Sequence, residues 1–490
     1  MTEENRKFLY KQVECSPLSI RSKSRSLFSD IRREKREKTV STKRFRNEKK
    51  DATDSTEKRE YTVEMVKSIS KSIQKKSSNT EDQLKYLRNA FSYTKDFVDA
   101  FLSVDNSLYS LVGYLTGPDS TLQLEAAWCV TNMSANDHEH MPMIVKATAP
   151  YLVTYLQSGS VLLQDQSGWA LGNMAADGEE IRKVLKAQGV ISPLISLVKS
   201  DTDGVIQSSL FALCNMAKSL PIIETDLLNS DLLDTVQKKI SDENTDLNII
   251  CELAWLLSYM SAEDSFCKVI VKTGILRHVV HWLCKVRPHQ QEYLFAVTPL
   301  LRCLGNLIGL DPNILIDIIL PYENGMLLPT LNTFLVSNKR HLIKESLWVL
   351  SNIFSCKLEK KHVEELQLAL PNVSRHLVSA YEIKKEAAIC MCHIAYRDDD
   401  LAGAVIERTI FENLIDFLKI PDNEMKCLAL QFFEITLSNP NAVPLFLQCN
   451  GPSYLEALEY NENEEIRNKA VYLQRTYYEK EDEEEEQVQE

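Results

Sequence analysis

The sequence predicts an all-α fold, a right-handed solenoid of about ten stacked helical repeats flanked by a basic N-terminal arm and an acidic C-terminal tail. Three observations predict it. From about residue 82 to 478, apolar residues recur at spacings of three and four, the signature of one helix after another. The chain has only 14 Gly and 16 Pro in 490 residues, so the helices are joined by short turns. A short motif also returns along the helical part: an acidic or amide residue, two small residues, Trp, three residues, then Asn.

That motif is complete at Glu125–Asn132 (EAAWCVTN), Gln166–Asn173 (QSGWALGN) and Glu345–Asn352 (ESLWVLSN). Weaker copies pair Phe211 with Asn215, Trp255 with Tyr259, Arg302 with Asn306, and Ile389 with His393. The first members of successive pairs lie 41, 42, 44, 47, 46 and 41 residues apart. A period of roughly 40–47 residues built from two or three helices is that of armadillo and HEAT repeats. Four of the five tryptophans fall on this ladder, and only Trp282 does not. Flanking sequence predicts a first repeat near 83–117 and two more after 400. One such repeat cannot bury its own apolar face, so neighbours stack and leave a long concave groove.

Composition and charge narrow the function. The net charge is −13, yet Arg21–Lys50 holds thirteen Lys/Arg against four Asp/Glu, a local +9, which leaves about −22 on the rest. An acidic body repels phosphate, so a nucleic-acid partner is not expected. The basic arm suits an acidic protein surface, or the chain's own body. Residues 1–80 read as largely disordered apart from a basic helix near 30–40, and Glu479–Glu490, with eight acidic residues and one Lys, reads as a solvated tail.

The polar start predicts no secretory leader. No run approaches the roughly 18 apolar residues of a membrane span, and Leu300–Leu320 is interrupted by Arg302, Asn306, Asp311, Pro312 and Asp317. No membrane is therefore expected. The twelve cysteines are scattered among Ala, Leu and Ile as reduced small hydrophobes, and Cys390 and Cys392 are too close for a CxxC pair. No cofactor or metal is expected, and no phosphate-cradling glycine motif or nucleophile–base arrangement marks an enzyme. His138 and His140 beside Asp137 fall in a polar inter-helix stretch and read as loop residues.

The Trp-x-x-x-Asn pairs carry the chemistry. Four apart on a helix, the two side chains share a face one turn apart. An Asn amide offers a donor and an acceptor, matching the N–H and C=O of an extended peptide. Indoles alongside form slots for the stems of Lys and Arg and attract their charged heads by about 0.5–2 kcal/mol per pair. Acidic residues at the slot ends add charge-assisted hydrogen bonds worth about 1.5–3 kcal/mol each. Such a row reads extended, Lys/Arg-rich segments. Core packing of Trp and local capping by Asn would explain one such pair, but not a row at the repeat period.

AWCVTNMS, GWALGNMAAD, AWLLSYMSAED, TPLLRCLGNLI and ESLWVLSNI resemble successive repeats of the importin-alpha (karyopherin-alpha) family, over nearly the whole chain. The resemblance extends to exceptions: Tyr259 in place of Asn, and Arg302 in place of Trp. It implies a nuclear import adaptor of cytoplasm and nucleus that carries proteins bearing nuclear localisation signals. The implied major site is Trp128, Asn132, Gln166, Trp169, Asn173, Asp177, Phe211, Asn215, Glu252, Trp255 and Tyr259, with Asp177 the acidic partner of the key cargo Lys. The implied minor site is Arg302, Asn306, Glu345, Trp348, Asn352 and Glu386. Residues 1–80 resemble an importin-beta-binding arm, through Arg21, Lys23, Arg32, Arg33, Lys35, Arg36, Lys43, Arg44 and Arg46. Lys43 and Arg44 in such an arm occupy the major site when cargo is absent. The segment from Asn461 into the acidic tail resembles the family's last repeat and tail, where the export receptor binds. Residues 81–478 would then be the solenoid and 479–490 the tail.

The chain also departs from that family. Phe211 makes a shallower slot than Trp, Asn136 and Met141 replace a Gly and a Thr that contact cargo, and Ile389 and His393 replace the last Trp/Asn pair. The arm carries KRFRN where the family has a tighter basic run. These departures resemble a divergent branch, that of transmembrane and coiled-coil domain-containing protein 6. They leave one rival, an armadillo scaffold that has lost signal binding; intact Trp128/Asn132 and Trp169/Asn173 beside Asp177 weigh against it. An arm bound to anionic lipid is disfavoured by its interspersed acids.

Overall fold

The computed structural model describes Arg44 and residues 61–136, 138–285, 294–310, 318–397 and 400–478. The basic helix expected near 30–40, the acidic tail, and every arm residue named above except Arg44 lie outside them. The described chain is helical throughout, as the repeat period predicts, and no strand occurs among the described residues. It divides into two compact units, Leu27–Ile275 and Leu276–Glu490.

In the first unit the ladder helices are α1 (Thr80–Ala90), α2 (Ser120–Ser134), α3 (Val161–Asp177), α4 (Asp203–Met216) and α5 (Leu247–Met260). In the second they are α6 (Leu294–Leu310), α7 (Arg340–Phe354), α8 (Tyr381–Ala395), α9 (Asn423–Thr436) and α10 (Glu464–Tyr477). Within each unit every ladder helix packs on the next, which is how successive repeats share one core. Polar side chains set several starts. Asp119 accepts from the amides of Thr121 and Leu122 to open α2, Asp246 from Asn248 to open α5, and Asn463 from Glu465 and Ile466 to open α10. The Leu122 amide bond to Asp119 is the main reason that its carboxyl titrates below its usual range.

Between α3 and α4 two glycines permit a close approach. A Cβ on Gly168 would stand 2.8 Å from the Ser208 hydroxyl, and one on Gly172 would stand 2.4 Å from the Phe211 ring. A shorter helix, Val63–Ser72, precedes α1 and buries Val66. In the second unit, Phe411, Phe432, Phe433 and Phe446 are fully buried, with neighbouring rings 4.6 to 5.6 Å apart at edge-on angles.

The buried His376 adds a pH dependence. Its Nε2–H donates to the Leu335 carbonyl, its Nδ1 accepts from Ser379, and burial holds its pKa below the ordinary histidine value. A histidine kept neutral in the fold lets the unfolded chain bind the extra proton. Its contribution is complete above the unfolded pKa of about 6.5 and is lost as pH falls toward the folded pKa. Urea melts of the chain at pH 7.5 and 5.5 are expected to show a lower midpoint at pH 5.5, with a smaller difference in His376→Gln.

Candidate functional site

The regular Asn row has a first job inside the fold. Asn132 Nδ2 donates to the Arg88 carbonyl at 2.8 Å, Asn173 Nδ2 to Thr131 at 3.1 Å and Asn215 Nδ2 to Gly172 at 3.0 Å. In the second unit Asn352 Nδ2 donates to Gly305 at 2.8 Å, and His393 Nδ1 to Ser351 at 2.7 Å. In four of the five ties the acceptor stands just before the previous repeat's ladder residue, and Arg88 stands just before Asn89 in the first repeat. At these five places the ladder ties a helix to the one before it. The sequence reading assigned these amides to a ligand and did not anticipate the tie.

An amide carries two N–H groups and an acceptor oxygen, so this tie leaves capacity for a second partner. At Asn173 that capacity is used. Its Oδ1 accepts from the Arg44 backbone N–H at 2.8 Å, and its second N–H donates to the Arg44 carbonyl at 2.9 Å. One arm residue is thus held by both main-chain groups, in the manner of a strand neighbour. From there the Arg44 side chain runs over the Phe211 ring, with Cζ 4.5 Å from its centroid and 5.7 Å from that of Trp169. The two rings are 4.7 Å apart and tilted by 39°. The guanidinium ends on Glu252 Oε1 at 2.5 Å.

Glu252 belongs to α5 and is 3% exposed. Burial pushes its pKa up, and the Arg44 charge and hydrogen bond draw it back down. The slot therefore has a backbone clamp at Asn173, aromatic walls from α3 and α4, and a buried carboxylate end. Phe211 is 1% exposed, seated in the space that Gly172 leaves open.

Trp128 is half-buried, and the Arg88 guanidinium lies over its ring at 3.8 Å. Arg88 is 2% exposed and its NH1 stands 3.0 and 2.9 Å from the two oxygens of buried Glu125. The sequence reading did not single out Arg88; the signal available was a lone cation in an otherwise apolar helix face. Gln166 is buried and donates to the Thr131 hydroxyl. Asp177 ends α3 one turn beyond Asn173 and is half-buried. The Trp255 and Tyr259 rings lie 6.1 Å apart along α5, tilted by 31°, and both residues are half-buried. Asn136 donates to the Phe91 and Asn132 carbonyls, and Met141 is fully buried.

In the second unit two residues of the implied minor site pair with each other. Arg302 Nε and NH2 approach Glu345 Oε1 at 2.9 and 2.8 Å. Trp348 is 8% exposed and lies where a Cβ on Gly305 would be 2.6 Å away. Glu386 is buried on α8, where Ile389 is also buried, and Asn306 is half-buried on α6.

Among the described residues no cluster of His, Cys, Asp and Glu could hold a metal. Burial pushes the thiols of Cys251, Cys267 and Cys392 up to about 12, which keeps them protonated and poor nucleophiles. His140 pairs with Asp99 at 2.9 Å; Asp137 and the His138 side chain lie outside the described residues.

The TMCO6 family model matches residues 66–479, most of the chain. The chain is an importin-alpha-like protein of the TMCO6 family. Importin subunit alpha-2 of Oryza sativa subsp. japonica is 31% identical over 444 residues, spanning 85% of this chain and 82% of the rice protein. Importin subunit alpha-9 of Arabidopsis thaliana is 28% identical over 381 residues, spanning 74% of this chain and 72% of the relative. A crystal structure of an engineered protein matches with a TM-score of 0.71 at 23% identity, covering 83% of this chain and 97% of the other, a likeness of fold. No helix of this TMCO6-family chain, among the described residues, is long and apolar enough to cross a membrane.

Proposed function

We propose that this TMCO6-family chain is a nuclear import adaptor. Its Leu27–Ile275 unit binds Lys/Arg-rich localisation signals along Asn132, Asn173 and Asn215, and its basic arm links the cargo to importin-beta. The observation that carries this reading is the clamp of Asn173 on both main-chain groups of Arg44, with the guanidinium between Trp169, Phe211 and Glu252. That is the geometry required to hold an extended basic segment. The chain's own arm holds the place of cargo, so importin-beta, by taking the arm, would open the groove. Asp177, one turn beyond Asn173 on α3, takes the key Lys of a cargo, and the tail from Asn461 onward serves an export receptor. The adaptor would shuttle between cytoplasm and nucleus.

The second unit contributes less to cargo. The pairing of Arg302 with Glu345, the burial of Trp348, and Ile389 and His393 in the last ladder pair leave it fewer groups for a peptide. A single basic cluster is therefore favoured over a two-cluster signal.

The test is a titration of a fluorescein-labelled lysine-rich peptide into the full chain, with and without purified importin-beta. Peptide affinity is expected to rise at least several-fold when importin-beta is present. Unchanged affinity would remove the importin-beta half of the proposal and favour an armadillo scaffold.

A further inference from the structure

We infer that the slot bounded by Trp169, Phe211 and Glu252 selects arginine over lysine, and that Glu252 is the residue that sets this preference. The inference rests on the reading of the groove as a peptide site and names the residue which that site takes at its centre.

Asn173 fixes both main-chain groups of the occupant, so the starting point of its side chain is not adjustable. From that point the arginine side chain reaches Glu252, and its Cζ passes 4.5 Å from the centre of the Phe211 ring. A lysine side chain is one bond shorter from Cα to its terminal nitrogen. Held by the same clamp, its ammonium falls short of Glu252. The ammonium is also a compact, strongly hydrated point charge with no plane to set against a ring.

Phe211 sharpens the difference. Phenylalanine offers a weaker face to a point cation than tryptophan does, whereas a guanidinium adds stacking to the charge attraction. The ring cannot rise toward the occupant without leaving the space above Gly172 in which it is seated. Glu252 completes the selection, because a carboxylate 3% exposed is poorly compensated by an ion that stops short of it.

The experiment uses the full chain carrying Lys43→Ala, Arg44→Ala and Arg46→Ala, so that the arm no longer competes. Two fluorescein-labelled peptides are compared by anisotropy: the chain's own Ser-Thr-Lys-Arg-Phe-Arg, and the same peptide with Lys in place of its central Arg. The Arg peptide is expected to bind at least tenfold more tightly. Glu252→Gln in the same chain is expected to weaken the Arg peptide about tenfold, change the Lys peptide little, and so erase the difference. The ratio in the unsubstituted groove needs no change to a buried residue and stands whether or not Glu252→Gln folds. Equal affinities there would overturn the selection while leaving the groove a peptide site. No binding of either peptide at tens of micromolar would overturn both.

Discussion

Arg88→Ala is expected to destabilise the Leu27–Ile275 unit by about 3–5 kcal/mol, the usual cost of removing one partner of a buried ion pair. Arg88 has both Glu125 oxygens about 3 Å from NH1, the Trp128 ring 3.8 Å from Cζ, and Asn132 on its carbonyl. Removing the side chain takes the guanidinium away from buried Glu125 and opens a void against Trp128. The backbone tie from Asn132 survives, so the loss belongs to the charge and the stack. Arg88→Met with Glu125→Leu removes both charges while keeping volume, and is expected to recover most of the loss. Urea unfolding followed by tryptophan fluorescence measures both variants. A loss below about 1 kcal/mol in Arg88→Ala would mean that the pair is solvated and that Trp128 is oriented by other contacts.

Arg44→Glu is expected to raise the affinity of the full chain for a basic peptide at least tenfold. The substitution replaces the guanidinium over Phe211 and beside Glu252 with a carboxylate, so attraction becomes repulsion against a buried acid. The Arg44 contacts combine a cation–ring attraction of about 0.5–2 kcal/mol with a charge-assisted hydrogen bond of about 1.5–3 kcal/mol. Since the Arg44 side chain is 38% exposed, solvent screening brings the total toward the low end. Even so, about 1.4 kcal/mol suffices for a tenfold change. Arg44→Lys should give a smaller gain, because it keeps the charge and loses the reach.

The fold was legible because a solenoid repeats. A Trp or its substitute every 41 to 47 residues, between helices with few glycines, leaves little choice of architecture. The site was legible in part. The periodicity showed that the Asn residues form a row, and resemblance named Trp169, Asn173, Phe211 and Glu252 among the residues of one groove. Periodicity could not show that Asn132, Asn173 and Asn215 also tie their helices to the previous ones, since those bonds join residues more than 40 apart and depend on the register between helices. Arg88 escaped for the same reason. Its partners Glu125 and Trp128 lie 37 and 40 residues away, and the one local signal, a cation on an apolar helix face, does not name them. The acid that receives Arg44 is Glu252, two ladder helices onward from Asn173 within the parent unit of α3. The expectation for Asp177 concerned the key Lys of a cargo; it is half-buried at the end of α3.

The central claim is that the groove along α3, α4 and α5 binds extended basic peptides and that the arm competes for it. It is tested most directly by anisotropy of a fluorescein-labelled lysine-rich peptide on the full chain carrying Arg44→Glu, with and without Asp177→Lys, at low and high salt. The account predicts low-micromolar binding that weakens with salt and is lost on Asp177→Lys, together with at least tenfold weaker binding by the unaltered chain. Binding equal in the unaltered and Arg44→Glu chains, or absent from both at tens of micromolar, would contradict it.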